Sequence, residues 1–189
     1  MKIPVCGMDP SLKNWGIAEA LLDLESGVLD TPRLSLIQPR DGDGKKQVRK
    51  NSLDLQRAEE LAAGAMAVGK KAKVIFVEVP VGSQSARAMA SYGICIGVLG
   101  ALRAKGMEII EVSPDENKKI FTGNKAASKQ QMIDTAMGLY PDANWPIRGG
   151  SVTASKAEHM ADAVAAIHAG VQTPVFQNLM RLLKTTTKE

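Results

Sequence analysis

Five side chains in this sequence have the types and spacing to do chemistry: Asp9, Glu78, Glu158, His159 and Asp162. Asp9 closes the apolar run that starts at Val5, and Glu78 stands near the end of KVIFVEV, a β-branched stretch of the kind covered on both faces of a sheet. Two carboxylates leaving buried strands side by side are costly to keep ionised unless a cation sits between them. Glu158, His159 and Asp162 share one stretch of helical pattern, with Asp162 three residues after His159 and four after Glu158, so they project from one side of the helix. Oxygen donors with one imidazole suit a hard divalent ion. Ordinary structural roles explain each residue alone: a turn cap for Asp9, a salt bridge for Glu78, solvated acids on the helix. They do not explain why all five fall on ordered elements. His168, four residues beyond Val164, reads as a core or C-terminal capping histidine and stands outside the set.

The elements that must position these groups follow from pattern. Lys2 to Leu22 reads as two strands joined by a polar turn at Pro10-Ser11, with Pro4 as the first residue of the first strand because it cannot donate to a ladder. Ser26-Gly27 turns the chain into a third strand, Val28 to Gln38. Ser52 to Lys71 has helical periodicity with Ser52 as N-cap, and Lys73 to Val79 is the fourth strand. A long helix rich in Ala and Gly runs from Ser85 to Ala104, and Glu108 to Val112 is the fifth strand. Ser113-Pro114-Asp115-Glu116 opens a helix that ends at Gly123. Further helices are expected over Ser128 to Leu139 and Ser155 to Ala169, with Tyr140 to Gly150 as a loop and Pro174 to Leu183 as a short amphipathic segment. Short turns make the first three strands antiparallel, and helical crossovers set the fourth and fifth parallel to the first. The expected fold is therefore α/β, a mixed five-stranded sheet with helices on both faces. If the first and fourth strands are neighbours, Asp9 and Glu78 leave the sheet at one carboxyl edge, where open α/β sheets place their sites.

Composition sets the bounds. A chain of 189 residues, 44% hydrophobic, suits one domain over residues 1–189. The balance of 24 basic against 20 acidic residues, net +4, leans toward a polyanionic partner. Pro39 to Lys50, richer in Lys and Arg than in Asp, is expected to be a mobile basic loop, either solvated or touching nucleic acid. No apolar run approaches the roughly 20 residues needed to span a bilayer and no cleavage signal opens the chain, so a cytoplasmic protein without a membrane partner is expected. Cys6 and Cys95 sit among apolar neighbours without C-x-x-C spacing and are expected as buried free thiols.

Three segments, GMDPSLKNWGIA, VIFVEVP and HMADAVAAI, together with the order of elements, resemble the RuvC-type Holliday junction resolvases of the ribonuclease H-like superfamily. The resemblance implies a ribonuclease H-like sheet and a site in which Asp9, Glu78, His159 and Asp162 bind two Mg²⁺ ions, with Mn²⁺ able to substitute. The helix pair takes its His-x-x-Asp form here, and Glu158 is the substitute to suspect should His159 prove dispensable. ENKKIFTGNKAASKQQ resembles the family's basic patch, which brings in Lys118 and Lys129 as catalytic or phosphate-contacting groups and Lys119 and Lys125 as DNA contacts. The implied activity is that of a crossover junction endodeoxyribonuclease giving 5′-phosphate and 3′-hydroxyl ends. A homodimer paired through the helix after the fourth strand is implied, and a branch-migration helicase partner is left open. The expected setting is a bacterial cell, or a host cell if the source is viral. One feature departs from the pattern: family members often carry an aromatic wedge soon after the strand-four Glu, and this chain has Pro80-Val81-Gly82-Ser83.

Three rival readings stand beside it: a ribonuclease H-like nuclease for RNA–DNA hybrids or flaps, a non-catalytic DNA-binding module, and a nucleotide-binding ATPase or sugar-kinase relative. The last requires a D-x-G-x-T turn after Asp9, which Pro10-Ser11-Leu12-Lys13 does not supply. The intact acid set argues against the second. A neutral His159 acting as a ligand would make activity fall as the imidazole protonates.

Overall fold

The computed structural model describes residues 1–41 and 49–186, with side chains as far as Leu182. Strands β1 (Lys2–Asp9), β2 (Trp15–Asp23) and β3 (Arg33–Ile37) precede helix α1 (Lys50–Gly69). Then β4 (Val74–Glu78), α2 (Ala86–Ala104), β5 (Ile109–Val112), α3 (Pro114–Thr122) and α4 (Lys129–Leu139) follow. A two-stranded hairpin, β6 (Ile147–Arg148) and β7 (Ser151–Val152), leads into α5 (Ala154–Gly170) and α6 (Pro174–Thr186). The main sheet has the order β3-β2-β1-β4-β5, antiparallel between β1, β2 and β3 and parallel from β1 through β4 to β5. This is the mixed five-stranded sheet expected from the turn lengths.

Alternation along β1 and β4 decides which way the acids face. Val5, Val74 and Phe76 belong to the core shared with α3, α4, α5 and α6, whereas Cys6, Met8, Ile75 and Val77 belong to the core shared with α1 and α2. Continuing the period of two places Asp9 and Glu78 on the α5 side, at the end of their strands. Helix α5 comes unusually close to that face. A Cβ on Gly7 would stand 1.9 Å from the carbonyl oxygen of Ala163, and one on Gly16 2.0 Å from that of His159. Gly16 is the register partner of Asp9. Two glycines on adjacent strands thus admit the α5 backbone where it delivers His159, while Ala157, Ala161 and Ala165 on the helix are fully buried.

The helix starts are set by side chains. Ser113 accepts from the Glu116 amide while Glu116 reaches back to the Ser113 amide, with Pro114 at the first helical position; Ser128 and Gln131 repeat that reciprocal cap on α4. Gly123 ends α3 at φ 79°, a conformation that favours glycine. The N-terminal ends of α1 and α2 are tied by Asp54, which accepts from Arg87 and Arg57, and Arg57 in turn reaches Asp41 at 2.9 Å. Both Asp54 and Arg57 are buried, so each charge needs the other.

Several boundaries differ from the sequence reading. Helix α1 starts at Lys50 with no side-chain cap, so Ser52 is inside it. Pro4 is third in β1; pairing with β4 begins only at Val5, so the missing donor costs no ladder bond there. Only Arg33–Ile37 of the third strand is regular, with Leu29 forming an isolated bridge to Leu22, because Thr31-Pro32 interrupts the run. The hairpin of residues 147–152 replaces part of the expected loop and turns on Gly149 and Gly150, both at positive φ. The basic loop expected from Pro39 to Lys50 falls, over residues 42–48, outside the described residues. Among the described residues no helix is long and apolar enough to cross a membrane. Cys6 and Cys95 are buried free thiols, and burial pushes the Cys95 thiol up to about 12.

Candidate active site

A cleft of about 380 Å³ opens at the carboxyl edge of β1 and β4, and Asp9, Glu78, Lys129, Glu158, His159 and Asp162 all line it. Asp9 comes from β1, Glu78 from β4, and Glu158, His159 and Asp162 from the first half of α5. The helix register works as its spacing requires: Ala157, Met160 and Ala161 are buried while Glu158, His159 and Asp162 stay half-buried at the cleft.

Three of the four acids, Asp9, Glu78 and Glu158, already have a side-chain partner. His159 donates its Nδ1–H to Asp9 Oδ2 at 2.6 Å, which selects the tautomer that leaves the Nε2 lone pair free to take a cation. That Nε2 lies 3.7 Å from Glu158 Oε1, beyond hydrogen-bonding distance. Lys129 Nζ pairs with Glu158 Oε2 at 2.7 Å. Asn117, fully buried on α3, donates its Nδ2–H to Glu78 Oε2 and to the backbone carbonyl of Asp162, the latter at 3.2 Å. As the side chains lie, no group of three His, Cys, Asp or Glu among the described residues is gathered closely enough to hold a metal ion.

The electrostatics show what the cleft lacks. Burial, followed by the charge of Asp9, pushes the Glu78 carboxyl up to about 7. Burial, followed by Asp9, Glu78 and Glu158, pushes Asp162 up to about 8. Lys118 opposes both shifts, which places its ammonium within electrostatic reach of the two acids. Negative charge therefore accumulates faster than the protein neutralises it, and the donors are carboxylate oxygens with one imidazole. That set fits a hard divalent cation.

The same two acids make stability depend on pH. With raised folded-state values, Glu78 and Asp162 hold protons at neutral pH that the unfolded chain has already released, so their contribution to stability is present below the ordinary carboxylate range and is lost as pH rises through about 7 and about 8. Metal-free protein is expected to melt at progressively lower temperature between about pH 6.5 and 8.5, above the ordinary histidine range. Mg²⁺ should raise the melting temperature more at the alkaline end, because the ion takes the deprotonated acids. Parallel melts with EDTA and with Mg²⁺ read this directly, and a Mg²⁺ shift independent of pH would contradict it.

All four sequence-selected ligands reach the cleft, and so does Lys129. Lys118 acts on the acids electrostatically, while Lys119 and Lys125 lie on the exposed surface of α3 and the loop after it. Glu158, the substitute suggested by the sequence, borders the cleft beside His159. Asn117 escaped the sequence reading. Its signal was present in the register: it lies four residues before Phe121, and those two are the residues α3 buries. His168 is a core residue, hydrogen-bonded to the Tyr140 hydroxyl at 2.8 Å, packed against Phe121, and shifted down by burial.

No family model and no curated protein sequence matches this chain. Solved structures do. Thermus thermophilus RuvC in complex with a Holliday junction substrate aligns with TM-score 0.64 at 16% identity, covering 93% of this chain and 96% of that one. A second Thermus thermophilus RuvC structure aligns with TM-score 0.60 at 17% identity, covering 94% and 96%. The chain has the RuvC fold, the ribonuclease H-like arrangement that its motifs imply.

Proposed function

We propose that this protein is a divalent-metal-dependent endonuclease that cuts branched DNA, four-way Holliday junctions foremost, leaving 5′-phosphate and 3′-hydroxyl ends. The observation that carries the reading is the convergence of Asp9, Glu78, His159 and Asp162 on one cleft, with two partly buried acids pushed toward neutrality by burial and by their neighbours. The fold match to a protein solved with a Holliday junction supports the substrate class.

The chain's own residues divide the work. Asp9, Glu78, Asp162 and the Nε2 of His159 would hold the ions, Mg²⁺ or Mn²⁺. When bound, the ions would supply activation of the attacking water and charge neutralisation at the leaving oxygen. Lys129 and Lys118 bring positive charge to the rim for the phosphate, and Glu158 fixes the Lys129 ammonium in place. Lys119 and Lys125 extend that charge along the surface toward the flanking DNA. Lys118→Ala and Lys129→Ala are expected to weaken binding or rate and to flatten the salt dependence by about one unit of slope for each ammonium–phosphate pair removed. An unchanged slope and rate would remove both from the interface.

One observation favours a broader substrate range. In the loop after β4 Val81 is 82% exposed, an aliphatic where the family resemblance implies an aromatic wedge. Hybrids and flaps are therefore the second reading. Cleavage of four-way junction, flap, RNA–DNA hybrid and linear duplex with Mg²⁺, side by side, tests the proposal: the junction is expected to be cut fastest, and faster cutting of hybrid or flap would replace the first reading with the second.

A four-way junction presents two symmetry-related strands, so a twofold dimer completes the reading. Helix α2 buries Cys95, Val98, Leu99 and Leu102 against the sheet and leaves Met89 and Ile96 about half exposed, at 46% and 48%. Nothing lies within 4 Å of a Cβ built on Gly93, Gly97 or Gly100. That open strip permits close approach of a second α2, whereas Leu99 serves this chain's own core and Tyr92 lines the cleft. Sedimentation at micromolar concentration is expected to show a dimer, and a 20 kDa species alone, with and without junction DNA, would contradict it.

A further inference from the structure

We infer that Asn117 is a positioning residue that holds the Glu78 carboxylate in its metal-binding orientation. The inference rests on the metal-dependent reading of the cleft and assigns a role to a residue outside the ligand set.

Three observations carry it. Asn117 is completely buried, one of only three polar or charged residues buried among the described residues. Its Nδ2 group donates twice, to Glu78 Oε2 on β4 and to the Asp162 carbonyl oxygen on α5, so one amide ties together the two elements that deliver these partly buried acids. Because both partners are acceptors, the amide is locked with nitrogen toward the cleft, and its Oδ1 is left buried with no hydrogen-bond partner. A leucine at this position would fill the core without an orphaned acceptor. Keeping the amide costs stability, and what it gains is the donor on Glu78.

The chemistry of the donor matters as much as its place. An ammonium there would orient Glu78 but also cancel the negative charge that a cation needs. A neutral amide orients one oxygen and leaves the carboxylate's charge and its other oxygen for the ion. Helix α3 is a firm base for such a group, since its start is fixed by the Ser113–Glu116 cap with Pro114, and Phe121 anchors its next turn in the core. Outer partners of metal ligands in this kind of arrangement govern affinity by about 10- to 100-fold.

The test measures Mn²⁺ affinity on the DNA-free full chain, by the electron paramagnetic resonance of free Mn²⁺, for the wild type, Asn117→Leu, Glu78→Gln and the double variant. Asp162→Asn serves as the control for the site itself. Asn117→Leu is expected to lower affinity by about 10- to 100-fold. In the Glu78→Gln background the same change is expected to cost less than about twofold, because the residue acts through Glu78, whereas a merely structural role would cost the same in both backgrounds. Metal-free junction binding by Asn117→Leu is expected to match the wild type. If Asn117→Leu does not fold, Asn117→Ala takes its place with the same expectations. Mn²⁺ binding that Asp162→Asn removes but Asn117→Leu leaves intact would overturn this inference alone. Wild-type protein with no Mn²⁺ binding sensitive to Asp162→Asn would overturn both it and the reading of the cleft.

Discussion

Asp162→Asn is expected to abolish DNA cleavage while making the metal-free protein more stable at about pH 8.5, a combination that ordinary damage to a folded protein does not give. Cleavage should fall by more than about 100-fold, beyond the effect of losing an outer hydrogen-bond partner, because an amide cannot supply the charge that holds the ion. Stability moves the other way because Asp162 is a largely buried carboxyl pushed to about 8 by burial and by the neighbouring charges of Asp9, Glu78 and Glu158. At a pH where it must ionise, removing the charge relieves the repulsion. Asp9→Asn and Glu78→Gln should likewise stop cleavage, and junction binding should survive in all three because basic side chains, not these acids, hold the DNA. Gel-shift, cleavage and thermal-melt measurements on one preparation decide the matter. Wild-type turnover by any of the three at saturating Mg²⁺ would remove that residue from the site.

Gly16→Ala is expected to be, with Gly7→Ala, among the most disruptive single-methyl changes in the site's scaffold. The added Cβ would stand 2.0 Å from the His159 carbonyl oxygen and 2.6 Å from its carbonyl carbon, and backbone cannot swing aside as a flexible side chain can. Either α5 retreats from the sheet or the fold opens. A loss of more than about 3 kcal/mol is expected, at the upper end for overpacking a close contact. If the fold survives, cleavage should still fall, because the displaced helix carries His159 away from Asp9, its partner at 2.6 Å. Urea melts monitored alongside cleavage test this, and a wild-type midpoint with wild-type turnover would contradict it.

Much of this was legible in the sequence because it depends on period and punctuation. The alternation of β1 and β4 and the three- and four-residue spacing on α5 place the acids without any knowledge of tertiary contacts. The turn lengths fix the strand directions. What escaped was decided by neighbours distant in the chain. Nothing local in Gly16 announces that an α5 carbonyl presses on it, nor in Asn117 that its amide faces two acceptors on other elements. The hairpin at residues 147–152 escaped because two-residue strands have too little length for periodicity, although Gly149-Gly150 was its mark. Helix α2 shows the same division: its apolar residues were legible, but which of Met89, Tyr92, Ile96 and Leu99 served the core was settled only by the sheet beneath them.

The central claim is that the acids of β1, β4 and α5 gather divalent ions, and anomalous diffraction from crystals grown with Mn²⁺ and a junction DNA tests it most directly. Two manganese peaks about 4 Å apart, ligated by Asp9, Glu78, Asp162 and His159 Nε2 with a DNA phosphate between them, are the expected result. Crystals in which the DNA is bound and ordered but no manganese lies within coordination distance of Asp9 and Asp162 would contradict it.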